Sequence, residues 1–475
     1  NKGTFVLKQH AYSSETTELL MAEAGVLKTL STIENQDFPK SIYSNTGKLM
    51  VVENDLIYQL LSYVEGDFLG DVPHSPALLR SLGVFLAQMD KQLENRYYSA
   101  ISAKDTQWDL QYFKRNYDYL KFIPDPKDRS LVDYFFLQFD EIVYPIQHQF
   151  RKRIIHNDGN DWNVLTKNGK VSGIIDFGDM CHSWLINEVA VAITYVMMGK
   201  TNPLEIAAHV IEGYHSVLKL EKEEVDVLYY LVAARLCTSV CNSAYSKTVK
   251  PDSEYITISE KPAWELLRRW LTINPIIAAT TFRKAAGLPA ARQKGLKKQL
   301  TRRKGIFSEA LSLSYDDPIQ MQRSAFQYMY DTDGNTFLDA YNNIMLAGHS
   351  HPTVVRAAQR SMARLNTNTR YIYEELLRYS ERLLTLFPKN LNKVFFVNSG
   401  SAASDLAIRL ATTHTGNEKV MVLEHGYHGN TRIGIDISHY KYDHNGGAGK
   451  QDYIIETSMP NAIGLGFKDD GAAGN

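Results

Sequence analysis

Two polar motifs in the middle of the chain contain the residue types that phosphoryl transfer requires. The first runs from His156 through Asp158 to Asn163, and the second is Asp176-Phe177-Gly178, with two apolar segments between them. Phosphoryl transfer from a nucleotide needs a carboxylate that accepts the proton of the attacking hydroxyl, and oxygen ligands that hold Mg²⁺ against the phosphates. We therefore predict that Asp158 is the base and that Asn163 and Asp176 bind Mg²⁺. The alternative is a hairpin with polar turns, since Asn, Asp and Gly are ordinary turn residues.

A lysine and a glutamate near the start of the chain could hold the phosphates of the nucleotide. Residues 4–8 are predicted to form a short strand that ends in Lys8, and the apolar spacing of residues 15–30 predicts an amphipathic helix that carries Glu23. A strand lysine paired with a helical glutamate is the usual device for gripping α- and β-phosphates. Lys8 and Glu23 are therefore candidate nucleotide-binding residues, although each could simply belong to a solvated face.

Strands and then helices surround these residues. Residues 50–52 and 57–64 are predicted strands of one small lobe, and Glu65-Gly66 is predicted as a hinge that hydrogen-bonds the base of the nucleotide. The apolar spacing then predicts helices over residues 78–93, 108–120, 130–149, 184–198, 203–220, 223–244 and 261–271. Cys237 and Cys241 lie one turn apart on one of them, where core packing is favoured over redox or metal chemistry.

Composition limits the class of protein. With 475 residues, two or three domains are expected, and 44% hydrophobic and 22% charged residues are typical of a globular protein. A net charge of −1 argues against a dedicated nucleic-acid or anionic-membrane binder. Three cysteines make no disulfide framework, and no membrane-spanning run or signal pattern is present, so we expect a cytoplasmic protein. Both ends of the sequence look cut.

Residues 1 to about 273 resemble the aminoglycoside phosphotransferase and choline kinase-like superfamily. Residues 174–195, which include Ile-Ile-Asp-Phe-Gly-Asp, Glu188 and Ala-Ile-Thr-Tyr, are most similar to its hydroxylysine kinase-like branch. The resemblance implies a two-lobed protein-kinase-like fold that uses Mg²⁺ and ATP or GTP. It also implies that Lys8 contacts phosphate and that Glu23 holds Lys8. The first two strands and the phosphate-covering turn, which the family places before the lysine strand, are absent from this sequence.

A basic segment separates the two halves of the chain. Residues 274–306 contain no acidic residue and are predicted to be a helical linker with a solvated basic face. A nucleic-acid or lipid patch is the sharper alternative, which the placement of the segment inside a two-domain chain disfavours. The basic residues are Arg283, Lys284, Arg292, Lys294, Lys297, Lys298, Arg302, Arg303 and Lys304.

The second half contains a candidate phosphate site. Residues 393–397 are predicted as an apolar strand that passes through Ser399-Gly400-Ser401 directly into a helix. Free backbone N–H groups, two hydroxyls and the positive end of a helix dipole would then converge on one point. Plain helix capping explains one of these serines but not all three residues. Upstream, residues 326–339 are predicted as two strands about an Asp-Gly turn, and His349 and His351 are predicted to lie near a cofactor rather than to bind metal.

Residues 307–475 resemble the N-terminal portion of class III, fold-type I aminotransferases that use pyridoxal 5′-phosphate. The matching residues are Gly348-His349, His351-Pro352, Asn368-Thr369-Arg370-Tyr371, Asn398-Ser399-Gly400-Ser401 and Tyr427-His428-Gly429. The resemblance implies that Gly400 and Ser401 bind the cofactor phosphate beside Ser399 and His428, that Tyr427 stacks on the ring, and that the complete domain forms a homodimer.

We expect this second domain to be partial, because the family's lysine and its aspartate for the pyridine nitrogen lie past the end of the sequence. Lys441, Lys450 and Lys468 come too early to replace that lysine. Ala402 replaces the acidic residue that the family usually carries there.

The two halves together predict a bifunctional enzyme of mixed α/β and α+β class. The kinase half would phosphorylate the hydroxyl of a small amino alcohol or hydroxy amino acid, and the other half would eliminate phosphate or transaminate. The alternatives are a non-catalytic scaffold whose sites have decayed, or a transaminase whose kinase half is regulatory. No nucleic-acid or membrane partner is expected.

Overall fold

A computed structural model describes residues 3–249, 260–290 and 295–461, which divide into two units with the boundary between Leu365 and Asn366. Three basic residues named above, Arg292, Lys294 and Lys468, lie outside the described residues, as does the Gly-rich C-terminal tail.

The first unit begins with a small antiparallel sheet and one helix. Its central strand, β4, pairs with β1, β2 and β3. The hydroxyl of Ser13 caps α1 by accepting the Thr16 N–H at 2.9 Å, and Val26, Leu27 and Leu30 of α1 are buried. The predicted strands and helix of this lobe are confirmed. The elements are β1 (Phe5–Ala11), α1 (Ser14–Leu30), β2 (Ser41–Ile42), β3 (Met50–Glu53) and β4 (Leu56–Ser62).

Two further small sheets carry the central motifs. In one, β7 pairs with β5 and β8, and in the other β6 pairs with β9. Asn168 and Gly169 join β7 to β8 with φ angles of 51° and 71°, the left-handed pair that a two-residue hairpin requires. The strands are β5 (Asp67–Phe68), β6 (Lys152–Ile155), β7 (Val164–Lys167), β8 (Lys170–Ile174) and β9 (Cys181–Trp184).

Helices, together with these two small sheets, make up the second part of the unit, the helical lobe. They are α2 (Pro76–Gln92), α3 (Ser99–Ala103), α4 (Pro126–Ile142), α5 (Ile186–Met197), α6 (Pro203–Val217), α7 (Lys222–Asp226), α8 (Leu228–Val249) and α9 (Glu260–Trp270). Segments of 3-10 helix run over Leu110–Phe122 and Tyr144–Gln149. No helix in the described parts of the chain combines the length and apolar character needed to cross a membrane.

Four predicted helices differ from the structure. The one predicted over 108–120 is a 3-10 segment with non-helical backbone at Tyr112. The helix predicted to begin at Trp184 begins at Ile186, because residues 181–184 pair with the buried strand β6. The predicted helix over 130–149 ends at Ile142. The predicted helix over 223–244 is two helices in the structure. The helix α7 ends at Asp226, and α8 begins at Leu228.

The segment that follows Asn274 continues to pack on the helical lobe. Phe282 and Arg283 of α10 (Pro275–Ala285) are buried, and the Arg283 guanidinium bonds both oxygens of Asp226 at 2.5 Å. The prediction that Arg283 lies on a solvated face is therefore wrong, since a carboxylate compensates its burial. By contrast, α11 (Leu296–Lys304) buries no residue.

A three-stranded sheet follows and also packs on this lobe. It consists of β10 (Met321–Ala325), β11 (Tyr328–Asp331) and β12 (Thr336–Leu338), and the predicted Asp-Gly turn lies between the last two, with Gly334 at φ 98°. The buried Tyr330 hydroxyl donates to the Leu271 carbonyl at 2.5 Å. The helix α12 (Pro352–Arg364) completes the unit.

Residues 366–461, the part of the second unit that the structure describes, contain one parallel strand pair and four helices. They are α13 (Glu374–Leu384), α14 (Gly400–Thr415), β13 (Val420–Leu423), α15 (Arg432–Asp436), α16 (His439–Tyr442) and β14 (Ile454–Thr457). The predicted strand over 393–397 is wrong for this structure. Within the described residues of this unit, β13 and β14 pair with each other, so residues 393–397 have no partner for a ladder.

Candidate active site

A buried carboxylate positions the loop that carries Asp158. Where β6 ends, the backbone N–H groups of His156 and Asn157 both donate to Glu188 Oε2, at 2.5 and 3.4 Å. Glu188 lies in the first turn of α5 and is fully buried. Asn157 adopts a left-handed φ of 64°, which turns the chain sharply just before Asp158. The orientation of the loop is thus fixed from the helical lobe.

The imidazole of His156 connects this loop to the second motif. Its Nε2 lies 3.1 Å from the carbonyl oxygen of Ile175, and its Nδ1 lies 3.3 Å from the Asp158 amide nitrogen. A neutral ring with the proton on Nε2 satisfies both contacts, and burial lowers the pKa of His156 to about 4. Its ring also meets the Phe177 ring edge-on at 4.6 Å. His156 therefore holds Asp158 and Asp176 in one constellation.

The carboxylate of Asp158 has three side-chain partners. Asn160 Nδ2 and Asn163 Nδ2 donate to Oδ2 at 3.0 and 2.7 Å, and Arg235 Nη2 donates to Oδ1 at 2.7 Å. Burial raises the pKa of Asp158, and the charge of Arg235 opposes that rise. The structure thus brings two of the predicted site residues, Asp158 and Asn163, into direct contact.

The main-chain link between Asn163 and Ile175 brings the two predicted metal ligands close together in the fold. The Ile175 N–H donates to the Asn163 carbonyl at 2.9 Å, and Asp176 is the next residue. Asp176 has a left-handed backbone, with φ 64° and ψ 73°, and a side chain that is 57% exposed. A carboxylate and a side-chain amide oxygen are ligand types that suit Mg²⁺. Across the described residues, no three or more His, Cys, Asp or Glu side chains form a metal cluster.

Lys8 pairs with a different carboxylate from the predicted one. Its Nζ bonds Asp176 Oδ1 at 2.9 Å, and an ion pair with Glu23 is absent from the described residues. Burial raises the pKa of Glu23, which favours its neutral form. Burial also raises the pKa of Asp176, but the hydrogen bond and charge of Lys8 outweigh it and the pKa lies below its ordinary value. In this structure Lys8 therefore pairs with Asp176, while Glu23 interacts with Lys8 only through its charge.

Arg235 is the site residue that sequence reasoning missed. It lies on α8, 77 residues from Asp158 in the chain, and is fully buried. One signal was available, since Arg235 interrupts the apolar segment Leu231-Val232-Ala233-Ala234 before Leu236 and Cys237. A charge inside such a run is typical of a buried, paired side chain. Cys237 and Cys241 themselves are buried free thiols, which confirms the prediction that they pack in the core.

In the second unit, the predicted phosphate-binding serines lie at the N-terminus of a 16-residue helix, α14. The Ser399 hydroxyl caps the helix by accepting the Ala402 N–H at 3.1 Å. Ser401 Oγ accepts the Asn430 N–H at 3.1 Å, and a Cβ on Gly429 would lie 2.6 Å from that oxygen. The loop around Gly429 therefore approaches the N-terminus of α14 closely.

Tyr427 and His428 lie on the same loop. Tyr427 is 52% exposed, with the Lys441 ammonium 5.6 Å from its ring centroid. The backbone N–H of His428 donates to Ser438 Oγ at 2.7 Å. In the first unit, Nε2 of His349 lies 2.6 Å from Oδ2 of Asp339.

Comparison with known proteins divides the chain into the same two halves as the sequence analysis. The model of the phosphotransferase enzyme family matches residues 1–224, and the class III aminotransferase model matches residues 312–469. Hydroxylysine kinase of Mus musculus is 30% identical over 289 residues, which cover 56% of this chain and 76% of that protein.

The second half matches two other curated proteins. An alanine–glyoxylate aminotransferase 2-like protein of Drosophila melanogaster is 41% identical over 162 residues, which cover 34% of this chain and 33% of that protein. Ethanolamine-phosphate phospho-lyase homolog 1 of Caenorhabditis elegans is 36% identical over 165 residues, which cover 34% of this chain and 35% of that protein. The chain thus spans about a third of the length of these two relatives.

Fold and motifs together define a two-lobed, protein-kinase-like phosphotransferase followed by part of a fold-type I, pyridoxal-phosphate-type transferase. The chain belongs to the phosphotransferase enzyme family, with a hydroxylysine kinase-like domain joined to a class III aminotransferase segment. The family resemblance predicted from the sequence is confirmed.

The neutral state of His156 predicts a pH dependence of stability. Its pKa of about 4 in the folded chain lies below the ordinary value of 6.5, so the unfolded chain binds more protons between these pH values. The free energy of unfolding should therefore fall as pH decreases from 6.5 to 4, by up to about 3 kcal/mol from this group. Urea unfolding of wild type and His156→Gln across this range measures it. Parallel pH profiles for the two proteins would show that His156 is not held neutral by the fold.

Proposed function

We propose that the kinase half transfers a phosphoryl group from ATP or GTP to the hydroxyl of a small amino alcohol or hydroxy amino acid. The observation that carries the proposal is the joint placement of Asp158, Asn163 and Asp176, which His156 and the Asn163–Ile175 hydrogen bond hold together. In a site that had lost its function, nothing would preserve this arrangement. The arrangement therefore favours catalysis over a scaffold function.

Each side chain then has a defined task. Asp158 accepts the proton of the attacking hydroxyl. Asn163 and Asp176 would hold Mg²⁺, which when bound neutralises charge on the phosphates. Lys8 has an ammonium group on the small lobe, 28% exposed, that can bind a phosphate oxygen. Glu23, which is buried on α1 and interacts with the charge of Lys8, would hold that lysine.

The relatives support the substrate class. The curated kinases that match residues of this half carry the name hydroxylysine kinase, and hydroxylysine contains a hydroxyl and amino groups. We propose an acceptor of the same class. The acceptor is a small molecule, with neither nucleic acid nor membrane as partner, and three buried free thiols suit a reducing, cytoplasmic compartment.

We further propose that the second half binds pyridoxal 5′-phosphate and acts on the phosphorylated product as a phospho-lyase, or on an amine as a transaminase. The close approach of Gly429 to Ser401 favours this second function. Ser399, Gly400 and Ser401 would hold the cofactor phosphate, and Tyr427 and His428 would flank the ring. The bound cofactor supplies an electron sink. In the complete protein this half would form a homodimer, as its family resemblance implies.

Replacing Asp158 with asparagine should lower phosphoryl transfer by about 10²- to 10⁴-fold, because it removes the general base. Nucleotide and Mg²⁺ binding should persist, since Asn163 and Asp176 remain. Turnover of labelled nucleotide with a panel of amino alcohols and hydroxy amino acids measures the effect. Asp118→Asn, an exposed aspartate on a 3-10 segment, is the matched control. Near wild-type turnover in Asp158→Asn would remove Asp158 from the mechanism.

Replacing Asp176 with alanine should raise the Mg²⁺ concentration that gives half-maximal activity, because a carboxylate ligand is lost. Lys8→Ala breaks the same ion pair without removing an oxygen ligand, and its Mg²⁺ midpoint should match that of the wild type while nucleotide binding weakens. Activity titrated against Mg²⁺ distinguishes the two. Equal Mg²⁺ midpoints for wild type and Asp176→Ala would mean that the Asp-Phe-Gly turn is only structural.

The phosphate cradle of the second half predicts a phosphate-dependent affinity. Pyridoxal 5′-phosphate should bind the chain more tightly than pyridoxal, and Ser401→Val should abolish this difference by removing a hydroxyl and narrowing the space beside Gly429. Fluorescence titration with both compounds measures it. Ser380→Val, on a helix of the same unit, is the control. Equal affinities of the wild-type chain for the two compounds would contradict a phosphate site at α14.

A further inference from the structure

The guanidinium of Arg235 is buried in the helical lobe, and nearly all of its N–H groups donate to protein acceptors. Nη2 donates to Asp158 Oδ1 at 2.7 Å and to the Tyr195 hydroxyl at 3.0 Å. Nε donates to the same hydroxyl at 3.3 Å, and Nη1 donates to the Trp108 carbonyl at 3.4 Å. The Trp108 ring lies 4.6 Å from the guanidinium carbon. Only one of the five N–H groups is left without a protein acceptor in the described structure.

Stability alone does not explain this arrangement. Desolvating a guanidinium and a carboxylate costs several kcal/mol per ion, and well-packed apolar residues in place of a buried pair are often neutral or stabilising. Arg235 lies among the buried apolar residues of α8, where an apolar side chain would pack readily. The carboxylate that it meets is the candidate base. The desolvation cost of the pair is therefore best explained by an effect of Arg235 on Asp158.

Direct binding of the acceptor does not explain the arrangement either. The Arg235 side chain is only 2% exposed, and its donors are directed at Asp158, Tyr195 and Trp108. A residue that bound the carboxylate of a hydroxy amino acid would need several free N–H groups on an open surface. Arg235 thus acts on the reaction through Asp158.

The hydrogen bonds of Asp158 also single out one of its two oxygens. A carboxylate offers about two lone-pair directions on each oxygen. Oδ2 accepts from both Asn160 and Asn163, so its directions are filled. Oδ1 accepts from Arg235, which leaves one direction open.

We propose that Arg235 is a positioning residue that fixes the rotation of the Asp158 carboxylate, so that Oδ1 is the atom that accepts the acceptor's proton. This inference rests on the proposed kinase function. The hydroxyl oxygen bonds to the γ-phosphorus as its proton moves to Oδ1. The bond from that phosphorus to the bridging oxygen breaks, and a nucleoside diphosphate leaves.

Substitutions of Arg235 test this role on the full chain. Arg235→Ala should lower kcat by about 10- to 100-fold, the range typical for residues that orient a catalytic group, with little change in the KM for nucleotide or acceptor. Arg235→Lys should recover part of the loss, since lysine keeps the charge but not the planar fork. Added guanidinium chloride at non-denaturing concentration should raise kcat of Arg235→Ala, whereas sodium chloride should not.

A double-mutant cycle shows whether Arg235 acts through Asp158. In the Asp158→Asn background, Arg235→Ala should cause no further loss of kcat, because the group that it positions is already gone. Arg283→Gln is the matched control. Arg283, on α10, is also a buried arginine, and it pairs with an aspartate, Asp226 of α7. This substitution should lower the melting temperature without lowering kcat of the folded protein, and guanidinium should not raise its rate.

Each outcome decides between the two levels of the proposal. Wild type that transfers no phosphoryl group to any hydroxyl acceptor overturns the proposed function and the role of Arg235 with it. An active wild type whose Arg235→Ala variant keeps its kcat, or loses the same factor in the Asp158→Asn background, overturns the positioning role alone. If Arg235→Ala fails to fold, Tyr195→Phe replaces it, since it removes one hydroxyl that holds the guanidinium. Unchanged kcat in both Tyr195→Phe and Arg235→Lys also overturns the role.

Discussion

The site depends on one buried carboxylate, Glu188. Two consecutive backbone N–H groups, of His156 and Asn157, donate to it, which fixes the sharp turn before Asp158 to the first turn of α5. Burial raises the pKa of Glu188 to about 7, so the two N–H donors oppose a large desolvation cost. His156 extends the constraint to the second motif through Ile175. Without this chain of hydrogen bonds, Asp158 and Asp176 would belong to two independent loops.

How far the sequence predicts the structure depends on how far apart the partners are in the chain. Asp158, Asn163 and Asp176 lie within 19 residues of one another, so their spacing alone indicated a common site. The Asn168-Gly169 hairpin and the Asp-Gly turn at Gly334 are equally local. Arg235 was missed because its contact with Asp158 depends on how α8 packs. The pairing of Lys8 with Asp176 was not predicted, because sequence does not show that Glu23 is buried and Asp176 exposed. The strand over 181–184 was missed because its partner strand precedes it by 26 residues or more.

The aminotransferase-like segment does not begin as a separate body. Residues 312–469 match the class III model, yet β11 lies against the helical lobe of the kinase half. The Asn274 amide donates to the carbonyl oxygens of Asp331 and Asn335 at 3.0 and 2.8 Å, and Tyr330 is buried beside Leu271. A buried amide and a buried hydroxyl that both have partners specify one docking geometry rather than a loose tether. The junction between the two halves is therefore a packed interface within the first unit.

Two ion pairs in the kinase half have opposite physical character. Arg235 and Asp158 are both largely buried, so breaking the pair leaves an uncompensated charge in a medium of low polarity, which costs roughly 3–5 kcal/mol. Lys8 and Asp176 are 28% and 57% exposed, where an ion pair contributes roughly 0–1 kcal/mol. The first pair therefore keeps one geometry throughout a reaction cycle. The second can exchange partners at little cost, and Lys8 on β1 can leave Asp176 for a phosphate oxygen. A fixed base and an exchangeable lysine are what a transferase needs that must hold its proton acceptor still while nucleotides bind and leave.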